Sequence, residues 1–240
     1  PMTYPQNRKP DFAADFIRSG YERVIADLEK ATGLKYSADQ LADSIKVYNQ
    51  HNAVMRKLSD VLAQHPEVTT AQRSDIFKSA WFMLKEEHTA LVQELIQQLE
   101  AQNPSNIGVP VVVTGILTDA PGLTSLFDEF GLRVVADDVA AESRQYRTDA
   151  STDGDPMECL INKFRNLDNC SVLYDPDKKR IPMIVDLAKQ HGAKGIIFVL
   201  TKFCDPEEFD YPLLKKACEA AGMPLVSIEA DRQMVNYEQA

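Results

Sequence analysis

The chain has 240 residues, of which 44% are hydrophobic and 26% are charged. This composition is typical of globular proteins and allows one large domain or two smaller ones. The net charge is −10, and an acidic surface repels phosphate backbones. We therefore expect no nucleic-acid partner.

Membrane and secretion signals are missing from the sequence. No apolar run approaches the roughly 18 residues that a membrane-spanning helix needs, and residues 1–12 contain no apolar h-region of a signal peptide. We expect a cytoplasmic protein with no membrane association, whose four cysteines are thiols or metal ligands rather than disulfides. The sequence starts at Pro1 without a methionine and ends at 235–240 in an apparent helix start. We therefore expect a fragment of a longer protein.

The first hundred residues are predicted to be helical, because apolar side chains recur every three to four positions. A first helix runs from Asp11 to Thr32 and is closed by Gly33. A second begins after Ser37, a typical N-cap residue, and ends before Pro66. A third, long helix follows Thr70 and continues to about residue 99. We interpret residues 1–107 as a helical segment that ends in a polar linker over 101–107.

From residue 108 the hydrophobic pattern changes. Strands are predicted at 109–117, 132–139, 194–203 and 224–228, and helices at 122–130, 155–164, 175–192 and 206–221. Strands that alternate with helices favour a parallel sheet. We therefore predict an α/β fold over 108–240, with an open, mainly parallel, Rossmann-like sheet that has helices on both faces.

Cys204 directly follows the third predicted strand, and in open α/β sheets ligands bind beyond the carboxyl ends of the strands. Asp205 and Pro206 then fit the beginning of a helix. The free N–H groups and dipole of a helix N-terminus favour a thiolate, which is the form that binds metals. The alternative is that Cys204 is a small buried residue at a strand end, and the spacing alone leaves both interpretations open.

The other cysteines and the histidines carry weaker signals. Cys170 lies in a predicted loop, while Cys159 and Cys218 lie within helices at positions that indicate core packing. None of the cysteines forms a CxxC pair, and the four histidines show no HExxH spacing, so we interpret the histidines as surface or packing residues. The motifs GxGxxG, Walker A and GxSxG are also missing.

The string 202–206, KFCDP, followed by Glu207-Glu208 and by 210–212, DYP, resembles a late motif of the 2-hydroxyacyl-CoA dehydratase and benzoyl-CoA reductase family. The resemblance covers nearly the whole chain, and further similar stretches follow in the same order as in that family. These stretches are Tyr48-Asn49, Asp137-Asp138 with Glu142-Ser143-Arg144, Asp155-Pro156 with Cys170 and Arg180, and Gly222-Met223-Pro224 with Ile228-Glu229 and Gln233.

The resemblance implies a site as well as a fold. Subunits of this family usually hold a 4Fe–4S cluster through three cysteines, and two of these positions match Cys170 and Cys204. The third belongs to a domain upstream of residue 1. The resemblance thus makes 108–240 a cluster-binding domain that carries part of a site, and we expect the fragment alone to be inactive.

The resemblance also implies a reaction. In an oxygen-sensitive heterodimer of related subunits, an ATP-dependent iron–sulfur activator supplies one electron. This electron converts the thioester carbonyl of a 2-hydroxyacyl-CoA into a ketyl radical anion, which expels the 2-hydroxyl group as hydroxide. Loss of the β-proton and return of the electron then give the enoyl-CoA, so the reaction is redox neutral. Two alternatives stay open: reduction of an aryl-CoA ring, as in the benzoyl-CoA reductase branch, and a non-catalytic partner subunit without a cluster. Arg144, Arg147 and Arg180 are interpreted as binders of CoA phosphates, as residues that cross the subunit interface, or as surface charges.

Overall fold

Four parallel strands form the centre of the fold: β1 (Val109–Gly115), β2 (Leu132–Val139), β3 (Gly195–Thr201) and β4 (Leu225–Ala230). They are hydrogen-bonded in the order β2-β1-β3-β4, with all three pairings parallel. The structure is a computed structural model that describes residues 2–231. Gln233 and the helix start predicted at 235–240 lie outside the described residues. The predicted open parallel sheet is confirmed.

The helices α5 (Pro121–Glu129), α7 (Arg180–Gln190) and α8 (Asp205–Ala221) lie on opposite faces of this sheet. Between β2 and α7 the chain also forms a 3-10 helix at Ser143–Tyr146 and α6 (Pro156–Arg165), which packs against the N-terminal helical segment. On one face Val112 and Phe198 pack with residues of α7 and α8, and on the other Val111 and Val113 pack with α5. Successive side chains of a strand point to opposite faces, so both sides of the sheet carry a core. The prediction of helices on both faces is confirmed.

Four helices make up the first hundred residues: α1 (Asp11–Thr32), α2 (Ala38–Leu62), α3 (Thr70–Ser79) and α4 (Lys85–Glu100). The single long helix predicted after Thr70 is wrong, because the chain turns between α3 and α4. Trp81, Phe82 and Leu84 are exposed in this turn. These apolar residues therefore do not belong to the buried face of a helix. Their spacing in the sequence nevertheless matches that of a continuous helix, which is why the break was not predicted.

The beginnings of two later helices also differ from the prediction. Helix α7 begins at Arg180 rather than just after Pro176, because the Asp175 carboxylate accepts the backbone N–H groups of Asp177 and Lys179 and holds 175–179 in a turn. Helix α8 begins at Asp205, so Cys204 rather than Asp205 occupies the N-cap position. The second difference places the Cys204 backbone in the helix terminus itself.

The helical segment packs directly against the α/β part. Ile17 of α1 lies in one cluster with Met157 and Ile161 of α6. The side-chain amide of Asn49 both donates to the Ala150 carbonyl oxygen and accepts its N–H, at 2.7 and 3.0 Å. The division at 107/108 stays a prediction. Within residues 2–231, none of the helices combines the length and apolar character needed to cross a bilayer.

Gly115 ends β1 with a φ of 151°, and a Cβ atom there would lie 2.5 Å from the carbonyl oxygen of Val199 in β3. We expect Gly115→Ala to lower the free energy of unfolding by about 3 kcal/mol, since it adds overpacking to the cost of a positive φ. The matched control is Gly131→Ala, which has a φ of 63° but open space around the Cβ position. That control should lose only about 1–2 kcal/mol. If urea denaturation gave equal losses of unfolding free energy for the two variants, the close contact between Gly115 and Val199 of β3 would not contribute to the cost.

Candidate functional site

Buried charges fill the carboxyl edge of the sheet. Asp138, near the end of β2, lies 3.1 Å from Arg144 Nη2, 2.6 Å from Arg147 Nη1 and 2.7 Å from Arg180 Nε, measured to its carboxylate oxygens. Its side chain is completely buried. Burial alone would raise the pKa of Asp138, but the three arginines hold this pKa below its ordinary value. Asp138 is therefore a permanent anion at the centre of the edge.

Arg180, the first residue of α7, uses every nitrogen of its guanidinium group. Nε donates to Asp138, Nη1 donates to Asp210 at 3.0 Å, and Nη2 donates to Glu207 at 2.9 Å and to Thr114 Oγ1 at 2.8 Å. Only 3% of the residue is exposed. The surrounding carboxylates outweigh the effect of burial and raise its pKa. Arg180 thus ties β1, β2 and α8 together.

We call this assembly the arginine–carboxylate network. Its members are Asp138, Arg144, Arg147, Lys178, Arg180, Glu207 and Asp210. The sheet order reverses direction between β1 and β3, because β1 continues to β2 on one side and β3 to β4 on the other. Ligand sites of open α/β sheets lie at such switch points. In this protein the network occupies that position.

The sequence interpretation of the three arginines is corrected by the structure. Arg144 and Arg180 are buried and Arg147 is half-buried, and all three bind carboxylates of the chain itself. They are therefore neither surface charges nor free binders of CoA phosphates. Charged residues from four separate stretches of sequence meet here, so no local pattern reveals the network; the acidic pair Asp137-Asp138 at a strand end was its one visible sign.

A second buried group lies beside the network and connects it to the helical segment. Arg73 of α3 contacts Asp137 at 2.5 Å and Glu142 at 3.0 Å, and Thr118 donates to Glu142 at 2.8 Å. Burial, with the neighbouring charge of Asp137, raises the pKa of Glu142 even though Arg73 opposes the shift. These contacts fix α3 against the end of β2.

Cys170 lies at the border of the network, in the loop between α6 and α7. Its Sγ is 3.9 Å from Arg144 Nη1, which is within reach of a weak N–H···S hydrogen bond. The next residue, Ser171, donates from its hydroxyl to the buried carboxylate of Glu207 at 2.6 Å. The loop that carries Cys170 is thereby attached to the first turn of α8.

Cys204 is the N-cap residue of α8, the helix to which the Cys170 loop is attached through Ser171 and Glu207. Burial raises the pKa of its thiol. The carboxylates of Glu207 and Glu208 act in the same direction, and the Glu207 backbone N–H and the charge of Arg144 oppose them. The expectation that the helix terminus favours the thiolate is therefore wrong for the protein without a metal. Burial of the thiol, to which the acidic residues of the first turn add, outweighs the effect of the helix N-terminus.

Each of the two cysteines follows a residue with a left-handed backbone. Asn169 has a φ of 56° and Phe203 a φ of 65°. For a bulky residue such as phenylalanine this conformation is a genuine outlier, and such strain is concentrated at functional sites. The Phe203 side chain is also 90% exposed. The chain therefore adopts an unfavourable backbone conformation directly before each of the two cysteines at this edge.

The cysteine site consists of Cys170 and Cys204 with Arg144 and Glu207 as their common neighbours. Its donor set fits part of an iron–sulfur cluster, because thiolates hold such clusters and N–H groups near the sulfurs tune them. Within residues 2–231, no group of three or more His, Cys, Asp and Glu side chains has a geometry suited to a metal ion. A cluster held by these two thiols would need further protein ligands from outside this part of the chain.

The remaining cysteines and histidines are mostly packing residues, as predicted. Cys159 and Cys218 are buried in apolar clusters. His51, His65 and His88 are buried and His191 is exposed. The sequence did not reveal that His51 and His88 contact each other, because they lie on different helices.

Comparison with known proteins gives a consistent family assignment. Residues 1–240 match the family described as 2-hydroxyglutaryl-CoA dehydratase, D-component. The chain is 45% identical to the (R)-phenyllactyl-CoA dehydratase beta subunit of Clostridium sporogenes, over 100% of this chain and 64% of that protein. It is 41% identical to the lactoyl-CoA dehydratase subunit beta of Anaerotignum propionicum, over 99% of this chain and 64% of that protein. Identity to one of the benzoyl-CoA reductase subunits of Thauera aromatica is 25%, over 94% of this chain and 60% of that protein.

Proposed function

Because the chain belongs to the 2-hydroxyglutaryl-CoA dehydratase D-component family, we propose that it is part of a subunit of an enzyme that dehydrates a 2-hydroxyacyl-CoA to an enoyl-CoA. The relatives with the higher identities are beta subunits of dehydratases that act on phenyllactyl-CoA and lactoyl-CoA, as their names state. The chain spans 64% of their length. The proposal therefore concerns the longer protein and a second, homologous subunit.

The observation that carries the proposal is the meeting of Cys170 and Cys204 around one buried arginine. Arg144 Nη1 lies 3.9 Å from the Cys170 sulfur, and its charge also acts on the Cys204 thiol. We propose that both thiols ligate a 4Fe–4S cluster whose third cysteine belongs to the rest of the protein. Cys170 and Cys204 would hold such a cluster, and the chemistry that it would supply is single-electron reduction of the substrate thioester.

The chain's own residues prepare this site in three ways. Arg144 directs an N–H group at the Cys170 sulfur, which stabilises negative charge there. Glu207 holds the Cys170 loop through Ser171 and reaches the same arginine at 3.3 Å. Arg180 holds the Glu207 carboxylate in place through a contact of 2.9 Å. The network thereby orients two thiols on separate loops before any ligand binds, as outer contacts do in metal sites.

The electron source and the choice of reaction belong to the same proposal. An ATP-dependent iron–sulfur activator protein delivers the electron, and we expect oxygen sensitivity because a low-potential iron–sulfur cluster is readily oxidised. The 25% identity to a benzoyl-CoA reductase subunit keeps aryl-CoA reduction as the alternative. The higher identities to dehydratase subunits favour dehydration.

The test uses the full-length subunit, purified without oxygen together with its partner subunit and activator. We expect about four iron atoms and four acid-labile sulfides per subunit, and conversion of (R)-phenyllactyl-CoA or lactoyl-CoA to the enoyl-CoA. If the enzyme reduced benzoyl-CoA and converted neither of the 2-hydroxyacyl-CoA substrates, the result would instead support the reductase branch. A preparation that stays free of iron after reconstitution would contradict the cluster and favour a non-catalytic partner subunit.

A further inference from the structure

A cavity of about 670 Å³ lies among α2, the α3–α4 turn, the 3-10 helix and α6. Tyr48, His51, Trp81, Leu84, Lys85 and Lys163 are among its lining residues. None of the residues of the cysteine site lines it. The cavity therefore belongs to a separate part of the molecule, and its size suits a small organic molecule.

The hydrogen bonds of two buried histidines determine which of their ring nitrogens remains available to a ligand in the cavity. His88 Nε2 lies 3.2 Å from the Ile76 carbonyl oxygen, which can only accept, so this nitrogen carries a proton. Ser79 Oγ, 2.9 Å from the same nitrogen, donates its own proton to Ile76 and also accepts. His88 Nδ1 is then an acceptor, and His51 Nε2 donates to it at 2.9 Å. The remaining nitrogen of His51, Nδ1, is left with a lone pair.

This lone pair has no partner among residues 2–231. His51 is completely buried and lines the cavity, and its Nδ1 makes no hydrogen bond there. Burial, together with the nearby charges of Lys85 and His88, lowers the pKa of His51 to about 4, which keeps the ring neutral. Buried polar atoms normally have partners, so an orphaned acceptor indicates a donor that the protein does not supply.

Two cations, Lys85 and Lys163, line the same cavity, and the charge of Lys163 also acts on the Asp149 carboxylate. In the part of the chain that the structure describes, neither Lys85 nor Lys163 forms an ion pair. Lys85 donates to the Ala80 carbonyl oxygen, and its charge acts on His51, so the two side chains are neighbours. Of the two acidic residues in the lining, Asp43 is paired with Lys46 and Glu86 sits in the first turn of α4. Lys85, which also lies over the ring of Tyr48, thus presents a positive charge beside the acceptor.

We propose that this cavity binds a small hydroxycarboxylate. The hydroxyl group donates to His51 Nδ1, the carboxylate is bound by Lys85, and the apolar body packs against Trp81 and Leu84. The inference needs neither a cluster nor catalysis, so it stands or fails independently of the proposed function.

The probe is 3-phenyllactate, compared with 3-phenylpropanoate, which has the same body and carboxylate but no hydroxyl group. Trp81 is the single tryptophan of the 240-residue chain and lines the cavity, so its fluorescence reports binding. We expect saturable binding of phenyllactate and about tenfold weaker binding of phenylpropanoate, because one hydrogen bond to a buried acceptor is missing. Equal affinity for the two acids, or no response to either, would overturn the proposal.

Two further measurements separate this site from nonspecific apolar binding. Lys85→Gln should weaken both acids about tenfold or more, whereas Lys35→Gln, a lysine outside the cavity that pairs with Glu29, should change neither. In ¹⁵N NMR of labelled histidine, the Nδ1 resonance of His51 should shift with phenyllactate and stay in place with phenylpropanoate. A shift with both acids would show that His51 does not bind the hydroxyl group, and the proposal would be wrong.

Discussion

In the full-length subunit, Cys204→Ser is expected to lower bound iron from about four atoms to less than one per subunit and to abolish dehydration. Serine keeps the size of the side chain but is a poor ligand for iron, and a cluster that loses one of three protein thiolates is not held. Iron and acid-labile sulfide analysis under anaerobic conditions measures the effect directly. EPR of the reduced protein follows the same loss without depending on turnover.

The chain offers a matched control for this substitution in the same helix. Cys218 lies in α8, fourteen positions after Cys204, and is buried in the core cluster under the sheet. We expect Cys218→Ala to retain the iron of the unmodified subunit while lowering stability modestly, since it removes only a small packed sulfur atom. If Cys204→Ser kept its iron, or both variants lost it to the same extent, Cys204 would not be a specific ligand.

Arg180→Met is expected to lower the free energy of unfolding by about 3–5 kcal/mol, which is a large part of the stability of a typical domain. Methionine removes the shared partner of Asp138, Glu207 and Asp210 and leaves these buried carboxylates with too few cations. Urea denaturation at neutral pH, followed by circular dichroism, gives the magnitude.

The preceding residue provides the comparison for Arg180. Lys179 contacts Asp177 at 3.7 Å, and its side chain is 65% exposed. Lys179→Met should therefore change stability by less than about 1 kcal/mol, because exposed ion pairs contribute little. If both variants lost a similar free energy of unfolding, burial would not determine how much the arginine–carboxylate network contributes to stability.

The strands and most helix ends were predictable because their signals are local. The buried residues of β1 and β3 are mainly β-branched or aromatic, as strand propensity favours, and Gly33 and Gly222 end their helices with the left-handed backbone that glycine tolerates. The position of Cys204 after a strand was predictable, and the structure puts this residue at the carboxyl edge, where the same arginine acts on Cys204 and Cys170. Its role as a cluster ligand rests on the family resemblance and stays a prediction.

The environment of the cysteines was not predictable from the same signals. Asp138, Arg180 and Glu207 are far apart in the sequence, and charged side chains are usually exposed, so their burial depends on tertiary packing. The pKa of the Cys204 thiol is raised rather than lowered, because tertiary packing buries the thiol and the carboxylates of Glu207 and Glu208 add to the effect. The break between α3 and α4 was missed because the exposed Trp81 and Leu84 resemble core residues in a hydrophobicity pattern.

The burial of the arginine–carboxylate network has a consequence for how the site responds to ionic strength. Dissolved salt screens charges that water surrounds, with a Debye length of about 8 Å under physiological conditions, but it screens buried pairs much less. Exposed pairs such as Lys46–Asp43 should dissociate readily as salt is added, while Asp138 and Arg180 should keep their contacts. The arrangement around the two thiols is therefore insensitive to the salt content of its surroundings, although the protein as a whole is strongly acidic.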